Sequence, residues 1–298
     1  MKLRLSKTYN SEVNFISLKS WGNDSLKVES LENPYLDELE RKSIAIIREA
    51  KAQFKNPAAL WSTGKDSTTT IWLCKKAFFG KIPFSVIHID TGCKFPEIYE
   101  FRDRIAKEWD LNLLVAKNEE AMKKGVSPEK DRFECCTQLK TQALKNLLEK
   151  EKFDALILAI RRDEHGIRAK ERYYSPRDKD FKWNYEDQPA EMWDLYVKPS
   201  EDFSHMRVHP ILHWTELNVW QYVKREKLPV NPLYFANNGK RYRSLGCQPC
   251  TVPIPSNAQT IDEIVKELET SKIPERAGRS QDKEKAYMMQ KLRSLGYM

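Results

Sequence analysis

No run of apolar residues in this sequence is long enough to cross a membrane; even Ile157 to Ile160 meets Arg161 and Arg162 at once. The opening residues, Met1 to Asn10, hold no apolar segment ending in a small-residue cleavage site, so a cytoplasmic location is expected rather than secretion. In that compartment the six cysteines are not a disulfide framework. Internal repeats and low-complexity tracts are missing, as are helix-turn-helix, RNA-binding and coiled-coil patterns, which removes the common nucleic-acid modules and elongated assemblies. What is present is an ordinary folded composition, 40% hydrophobic and 32% charged over 298 residues, enough for one large core with a smaller C-terminal region. With 51 basic and 43 acidic residues the formal charge is +8, which favours anionic partners without choosing among nucleotides, sulfate and nucleic acid.

Periodicity supplies the outline. Residues 1–35 are polar with little pattern and read as an N-terminal arm. Leu39, Ile44, Ile47 and Ala50 recur at helical spacing and predict a helix from Asp37 to Phe54. Strands are expected at Ala58–Trp61, Phe84–Ile89, Leu111–Val115 and Ala155–Ile160, each followed or preceded by a helical stretch. One such helix begins at Pro96 and another spans Thr137 to Leu148. This alternation predicts an α/β fold, a parallel twisted sheet flanked by helices, over residues 36–228. Lys170 to Pro199 reads as a long ordered loop over the site, with Trp183 and Trp193 available to a nucleotide or to packing. A smaller loop-rich and helical region, 229–298, is expected to close over the site; its helices lie near 260–270 and 281–294, and a helix capped by Thr215 precedes it.

Three polar clusters follow the expected strands: 62–67, 90–92 and 161–164. Ligands in such sheets bind at the carboxyl ends of the strands, so the clusters belong to one site. The first, Ser62-Thr63-Gly64-Lys65-Asp66-Ser67, is too short to be a Walker A loop. It still suits a phosphate: Gly64 lets the backbone curve, the following helix offers free amides, Ser62 and Ser67 add hydroxyls, and Lys65 adds a mobile charge. Asp66 is placed to orient the loop or to hold magnesium. A glycine turn capped by serines is the plain alternative.

The segment Ser-x-Gly-Lys-Asp-Ser after a first strand resembles the pyrophosphatase loop of an ATP-cleaving superfamily. That superfamily includes the adenosine-phosphosulfate reductases and the bacterial sulfate adenylyltransferase small subunits. The resemblance to the latter family runs on from about residue 37 through His88–Gly92, Tyr99–Arg104, Arg161–Glu164, Arg168–Arg172, Trp214–Glu216, Arg243–Cys247, Ser256–Thr260 and Glu275–Arg279. It implies an adenine nucleotide alpha hydrolase-like fold, ATP and Mg2+ as cofactors, and cleavage of ATP between its α and β phosphates with transfer of AMP to sulfate. A GTPase large subunit is the implied partner, because forming the mixed anhydride of sulfate and AMP is uphill. Lys65, Arg161, Arg162, Arg168 and Arg172 are then the candidate catalytic cations, since stabilising phosphoryl charge is the main task of such a site. Asp90, with Gly92 permitting close approach, is a candidate for the ribose or base; Arg241 and Arg243 are candidates for the β and γ phosphates. Sulfate at neutral pH needs no general base.

The cysteines point elsewhere. Cys135 and Cys136 with Cys247 and Cys250 resemble the thiolate set that holds a [4Fe–4S] cluster in adenosine-phosphosulfate reductases. Zinc fits adjacent cysteines less well, although His209 and His213 with Cys247 and Cys250 make a mixed site conceivable; four unliganded thiols are the plain reading. No cysteine follows Cys250, so the attacking thiol of those reductases has no counterpart here. An iron–sulfur ATP pyrophosphatase that activates DNA or tRNA for sulfur insertion, working with a cysteine desulfurase, is therefore the alternative to sulfate adenylylation. A non-catalytic regulatory subunit is the third, disfavoured by the complete polar set around Lys65.

Overall fold

In the computed structural model, residues 33–166, 168–196 and 203–279 are described. The expected arm, as far as residue 32, and the expected helix at 281–294 lie outside them.

The first helix, α1 (Pro34–Gln53), starts earlier than its apolar period suggests, because Asn33 caps it by accepting the Leu36 N–H at 3.3 Å and proline takes the first turn. The apolar runs then become strands: β1 (Pro57–Leu60), β2 (Ser85–Ile89), β3 (Leu113–Ala116) and β4 (Ala155–Ile157). Their connections carry α2 (Lys65–Ala77), α3 (Pro96–Glu108), the short α4 (Glu119–Lys123) and α5 (Arg132–Cys136), and α6 (Ala143–Glu151). Every residue of β1 and β4 is buried, as expected of central parallel strands covered on both faces.

Two further strands complete the sheet, and the first of them lies in the stretch from Lys170 to Pro199 that the sequence suggested was a loop. β5 (Tyr174–Asp178) pairs antiparallel with β6 (Phe203–Val208), and β6 pairs parallel with β4. The sheet order is β3-β2-β1-β4-β6-β5, so the chain steps outward from β1 to β3 and then returns to the far side of β1. Right-handed crossovers consequently place α2 and α3 on one face and α6 on the other. The reversal opens a crevice between the carboxyl ends of β1 and β4.

Beyond the sheet, α7 (Glu216–Arg225) carries a complete capping box: the Thr215 hydroxyl accepts the Asn218 N–H at 3.1 Å, and Asn218 accepts the Thr215 N–H at 2.9 Å. A small ribbon, β7 (Lys240–Arg241) with β8 (Ile254–Pro255), precedes α8 (Ile261–Thr270) and a final 3-10 turn at Glu275–Gly278. Among the described residues no helix is long and apolar enough to cross a membrane.

Candidate active site

The crevice at the strand reversal is a cavity lined by Leu60 and Trp61 at the end of β1, Ile87 and Ile89 of β2, and Leu158 to Ile160 after β4. These apolar side chains form its floor. The rim is polar: the loop Ser62 to Ser67 on one side, and Lys94, Lys140, Glu164, Arg168, Arg276 and Arg279 around it. An apolar slot with a charged mouth suits a ligand having a flat ring at one end and anionic groups at the other.

The loop is held by its own hydroxyls. Ser67 Oγ accepts the Ser62 N–H at 3.2 Å, lies 3.1 Å from Ser62 Oγ and donates to the Gly64 carbonyl at 3.1 Å. The left-handed residue is Thr63, at φ 66°, rather than the glycine expected to make the bend. Gly64 serves close approach instead, since a Cβ there would lie 3.2 Å from the Tyr234 hydroxyl. That hydroxyl accepts the Lys65 N–H at 2.9 Å, so a backbone donor at the start of α2 already has a partner.

Lys65 is buried and surrounded by carboxylates. Its ammonium bonds Glu275 and lies 3.3 Å from Asp66 and 3.8 Å from Glu216. Burial alone would lower its pKa, but Asp66, Glu275 and Glu216 outweigh that and hold it above the ordinary lysine value. Arg161 is fully buried and shares the same partners: Nε is 2.8 Å from Asp66, Nη1 is 2.9 Å from Asp163, and Nη2 bonds Glu275. Arg243 pairs with Glu216 at 2.8 Å, and its carbonyl accepts Lys65 Nζ at 3.4 Å. The carboxylates answer unequally. Burial pushes Glu216 up, with Glu275 adding to the effect, and burial also raises Asp163 against the pull of Arg161. Glu275 goes the other way; Arg161 and Lys65 overcome its burial and hold it well below the usual carboxylate range.

The remaining predicted residues are placed as follows. Ser62, Gly64, Lys65, Asp66, Ser67 and Arg168 line the cavity, with Arg168 bonded to Glu164. Asp90 and Gly92 stand at the end of β2 beside it. Asp90 accepts from the Gly92 N–H at 2.9 Å and from Tyr99 at 2.8 Å, with Lys117 at 2.9 Å, and these contacts hold its carboxyl below the ordinary value despite its burial. Arg161 and Arg243 lie behind the loop, not in the cavity wall. Arg162 turns away, its guanidinium 5.5 Å over the Tyr173 ring, and Arg172 is exposed. Arg241 is spent on Glu267 at 2.7 Å and Ser256 at 3.2 Å.

Glu164 stands in the 161–164 cluster that sequence position marks, whereas Lys94, Lys140, Tyr234, Glu275, Arg276 and Arg279 are not legible as site residues by position. Glu275, Arg276 and Arg279 did stand in a matched segment, and that was the available signal. Lys140 reaches the cavity from a π-helical turn, Thr137–Gln142, wedged between α5 and α6; such turns frequently mark functional sites.

Cys135, Cys136, Cys247 and Cys250 are all buried and lie in one neighbourhood, where Cys135 senses Cys136 and Cys247, and Cys250 senses Cys247 and Cys136. Burial raises the Cys247 thiol, but Lys140, Lys94, a 3.2 Å contact with Thr91, and Arg279 bring it down to about 7. Cys136 Sγ lies 3.8 Å from Lys140 Nζ. Among the described residues no group of three or more His, Cys, Asp or Glu is arranged to hold a metal ion, which leaves the expected cluster or zinc site without support from the geometry.

Residues 56–253 match the family described as the phosphoadenosine phosphosulfate reductase domain. Sulfate adenylyltransferase subunit 2 of Pseudoalteromonas translucida is 41% identical over 297 residues, covering 88% of this chain and 98% of that protein. The same subunit of Bacteroides thetaiotaomicron is 41% identical over 294 residues, covering 88% and 97%. Among solved structures, a phosphoadenylyl-sulfate reductase from Candida auris superposes with a TM-score of 0.53 at 19% identity, over 75% of this chain and 98% of that one. Candida glabrata FMN adenylyltransferase gives 0.55 at 15% identity, over 83% and 88%. These likenesses establish an adenine nucleotide alpha hydrolase-like fold.

Proposed function

We propose, from the premise that this chain belongs to the sulfate adenylyltransferase subunit 2 family within the phosphoadenosine phosphosulfate reductase domain family, that it transfers AMP from ATP to sulfate. Membership makes it an ATP-dependent adenylyltransferase. The observation that carries the rest is the cavity at the strand reversal, lined by apolar side chains, by the Ser62–Ser67 loop and by the cations Lys94, Lys140, Arg168, Arg276 and Arg279.

In this reading the adenine lies on the floor formed by Trp61, Ile87 and Leu158, and the phosphates run along the loop toward Arg168, Arg276 and Arg279. A sulfate oxygen attacks the α phosphorus, the bond to the bridging oxygen breaks, and pyrophosphate leaves with the electron pair. The chain supplies charge and alignment: Lys65 and the N-terminus of α2 at the phosphates, Ser62 and Ser67 as hydroxyl donors, and the arginines against the charge that builds up. Arg161 and Arg243 act from behind, fixing the carboxylates that surround Lys65. Asp66 offers the hard oxygen donor that suits magnesium, with Glu216 and Asp163 close to the same two cations. Bound magnesium would neutralise phosphate charge. Asp90 and Gly92, next to the lining residue Ile89, are the candidates for the ribose.

A GTPase partner belongs to the same proposal, because the product anhydride is less stable than ATP and accumulates only if its synthesis is coupled. The same reading assigns the reaction to the cytoplasm, where ATP is abundant. The test is release of labelled pyrophosphate from Mg-ATP by the full chain, with and without sulfate and the GTPase subunit. The expected result is release that requires sulfate and rises with the partner. The shared cysteine neighbourhood motivates the competing reading, sulfur insertion into DNA or tRNA with a cysteine desulfurase. Release driven by nucleic acid and indifferent to sulfate, from anaerobically purified protein containing iron and acid-labile sulfide, would replace the sulfate reading with that one.

A further inference from the structure

We infer that Glu275 competes with the triphosphate for Lys65, so that ATP must displace the C-terminal turn Glu275–Gly278 before the loop can hold its phosphates. This rests on the ATP reading above and adds a step to it.

The cluster behind the loop contains three cations, Lys65, Arg161 and Arg243, and four carboxylates, Asp66, Asp163, Glu216 and Glu275. It is closed and carries an excess of negative charge. Burial raises Glu216 and Asp163, and Glu275 adds to the rise of both. A polyphosphate cannot be added to such a group at low dielectric cost unless a carboxylate leaves or a divalent cation enters with it.

Glu275 is the carboxylate positioned to leave. It bonds both Lys65 and Arg161, with one oxygen on each, which is how a phosphate would bridge them; Asp66 meets the same two cations, but from the first turn of α2. Asp66, Asp163 and Glu216 each belong to a helix or to a loop pinned by a strand, and Asp163 also accepts the Glu216 N–H at 2.8 Å. Glu275 instead rides on one short 3-10 turn. The turn is joined to its neighbours by the Val252 N–H to the Gly278 carbonyl at 2.9 Å, by a bridge between Thr251 and Arg279, and by Arg276 to Glu164 at 2.9 Å. Arg276 and Arg279 already line the cavity. The same turn therefore withdraws a carboxylate from Lys65 and carries two arginines to an incoming anion.

A purely structural clamp makes the opposite prediction, because losing Glu275 would then let Lys65 wander and weaken nucleotide binding. The full chain is titrated calorimetrically with Mg-ATP as wild type, Glu275→Gln, Lys65→Ala and the double variant. Hydrogen exchange is followed at the amides of Val252 and Arg279, with thermal melts as the folding control. The expected outcome is roughly tenfold tighter ATP binding by Glu275→Gln, an effect that vanishes in the Lys65→Ala background. In the wild type, ATP speeds exchange at those two amides. Weaker or unchanged affinity in Glu275→Gln, or slowed or unchanged exchange in the wild type, overturns the inference. The wild-type exchange result decides the matter even if the variant does not fold. A wild type that binds no ATP overturns the ATP reading as well, whereas bound ATP with unchanged exchange overturns only the displacement.

Discussion

At the scale of single residues, Lys65 links the loop to everything behind it. Its backbone N–H meets Tyr234, its ammonium meets Glu275, and its side chain emerges from the first helical position of α2. Lysine is suited to this exchange of partners because its charge is a point on a flexible stem, where an arginine fork would be committed to one geometry. Replacing Lys65 by alanine removes the charge without removing the carboxylates, and Arg161 remains to hold Glu275. The fold should therefore survive while the proposed chemistry does not. Sulfate-dependent pyrophosphate release by Lys65→Ala is expected to fall by about 100-fold or more, read from single-turnover rates beside an unchanged far-ultraviolet circular dichroism spectrum. A loss below tenfold would mean that other cations carry the phosphates.

At the scale of elements, what could be read in advance followed from how each element is stabilised. β1, β2 and β4 are buried apolar runs, and the helix beginning at Pro96 has its proline at the first position, so local sequence and tertiary role agree. β5 and β6 escaped because their buried positions hold Arg177, His205 and Arg207, which look like surface residues. Arg177 is tolerated inside because Glu171 pairs with it at 3.0 Å, Ser175 Oγ accepts from it at 2.8 Å and the Trp183 ring lies 5.3 Å away. None of these partners is visible as such in the sequence. The site divides in the same way. The loop at 62–67 is contiguous and legible, whereas the partner of Lys65 stands 210 residues away and could be flagged only as part of a matched segment. α7 shows a local rule with a measurable consequence. Its reciprocal cap satisfies two amides near Asp163, so Thr215→Ala should cost about 1 kcal/mol, seen as a lower urea midpoint at unchanged slope. No shift in the midpoint would show that the packing of α7 against α2 and α8 sets its stability alone.

At the scale of the whole molecule, the interior is unusually rich in ionisable groups, and the histidines translate that into a pH response. His88 lies in the middle of β2, fully buried, with Nδ1 donating to the Trp61 carbonyl at 2.9 Å. Burial first, and then Lys94, lower its pKa to about 3. His205 in β6 is shifted down by burial and by Arg207, Arg177 and Lys145, and His213 falls to about 4 through burial, Lys42 and Arg162. Each is neutral in the folded protein well below the pH at which it protonates in the unfolded chain, near 6.5. Above that pH neither state binds the proton and stability is level. As pH falls below it the unfolded chain takes up protons that the fold refuses, so stability declines until the folded values are reached. Raised carboxyls such as Asp163, Glu191 and Glu216 act in the opposite sense, because the fold then binds the proton first, but the unfolded carboxylate range lies near 4. Between pH 7.5 and 5.5 each of these histidines contributes on the order of 1 kcal/mol of loss. Urea unfolding across that interval should show a falling midpoint, and His205→Gln should flatten the pH slope by about a third whatever it does to absolute stability. A slope unchanged in that variant would mean that His205 is protonated inside the fold, and that the arginines of β5 and β6 are screened from it by something other than distance.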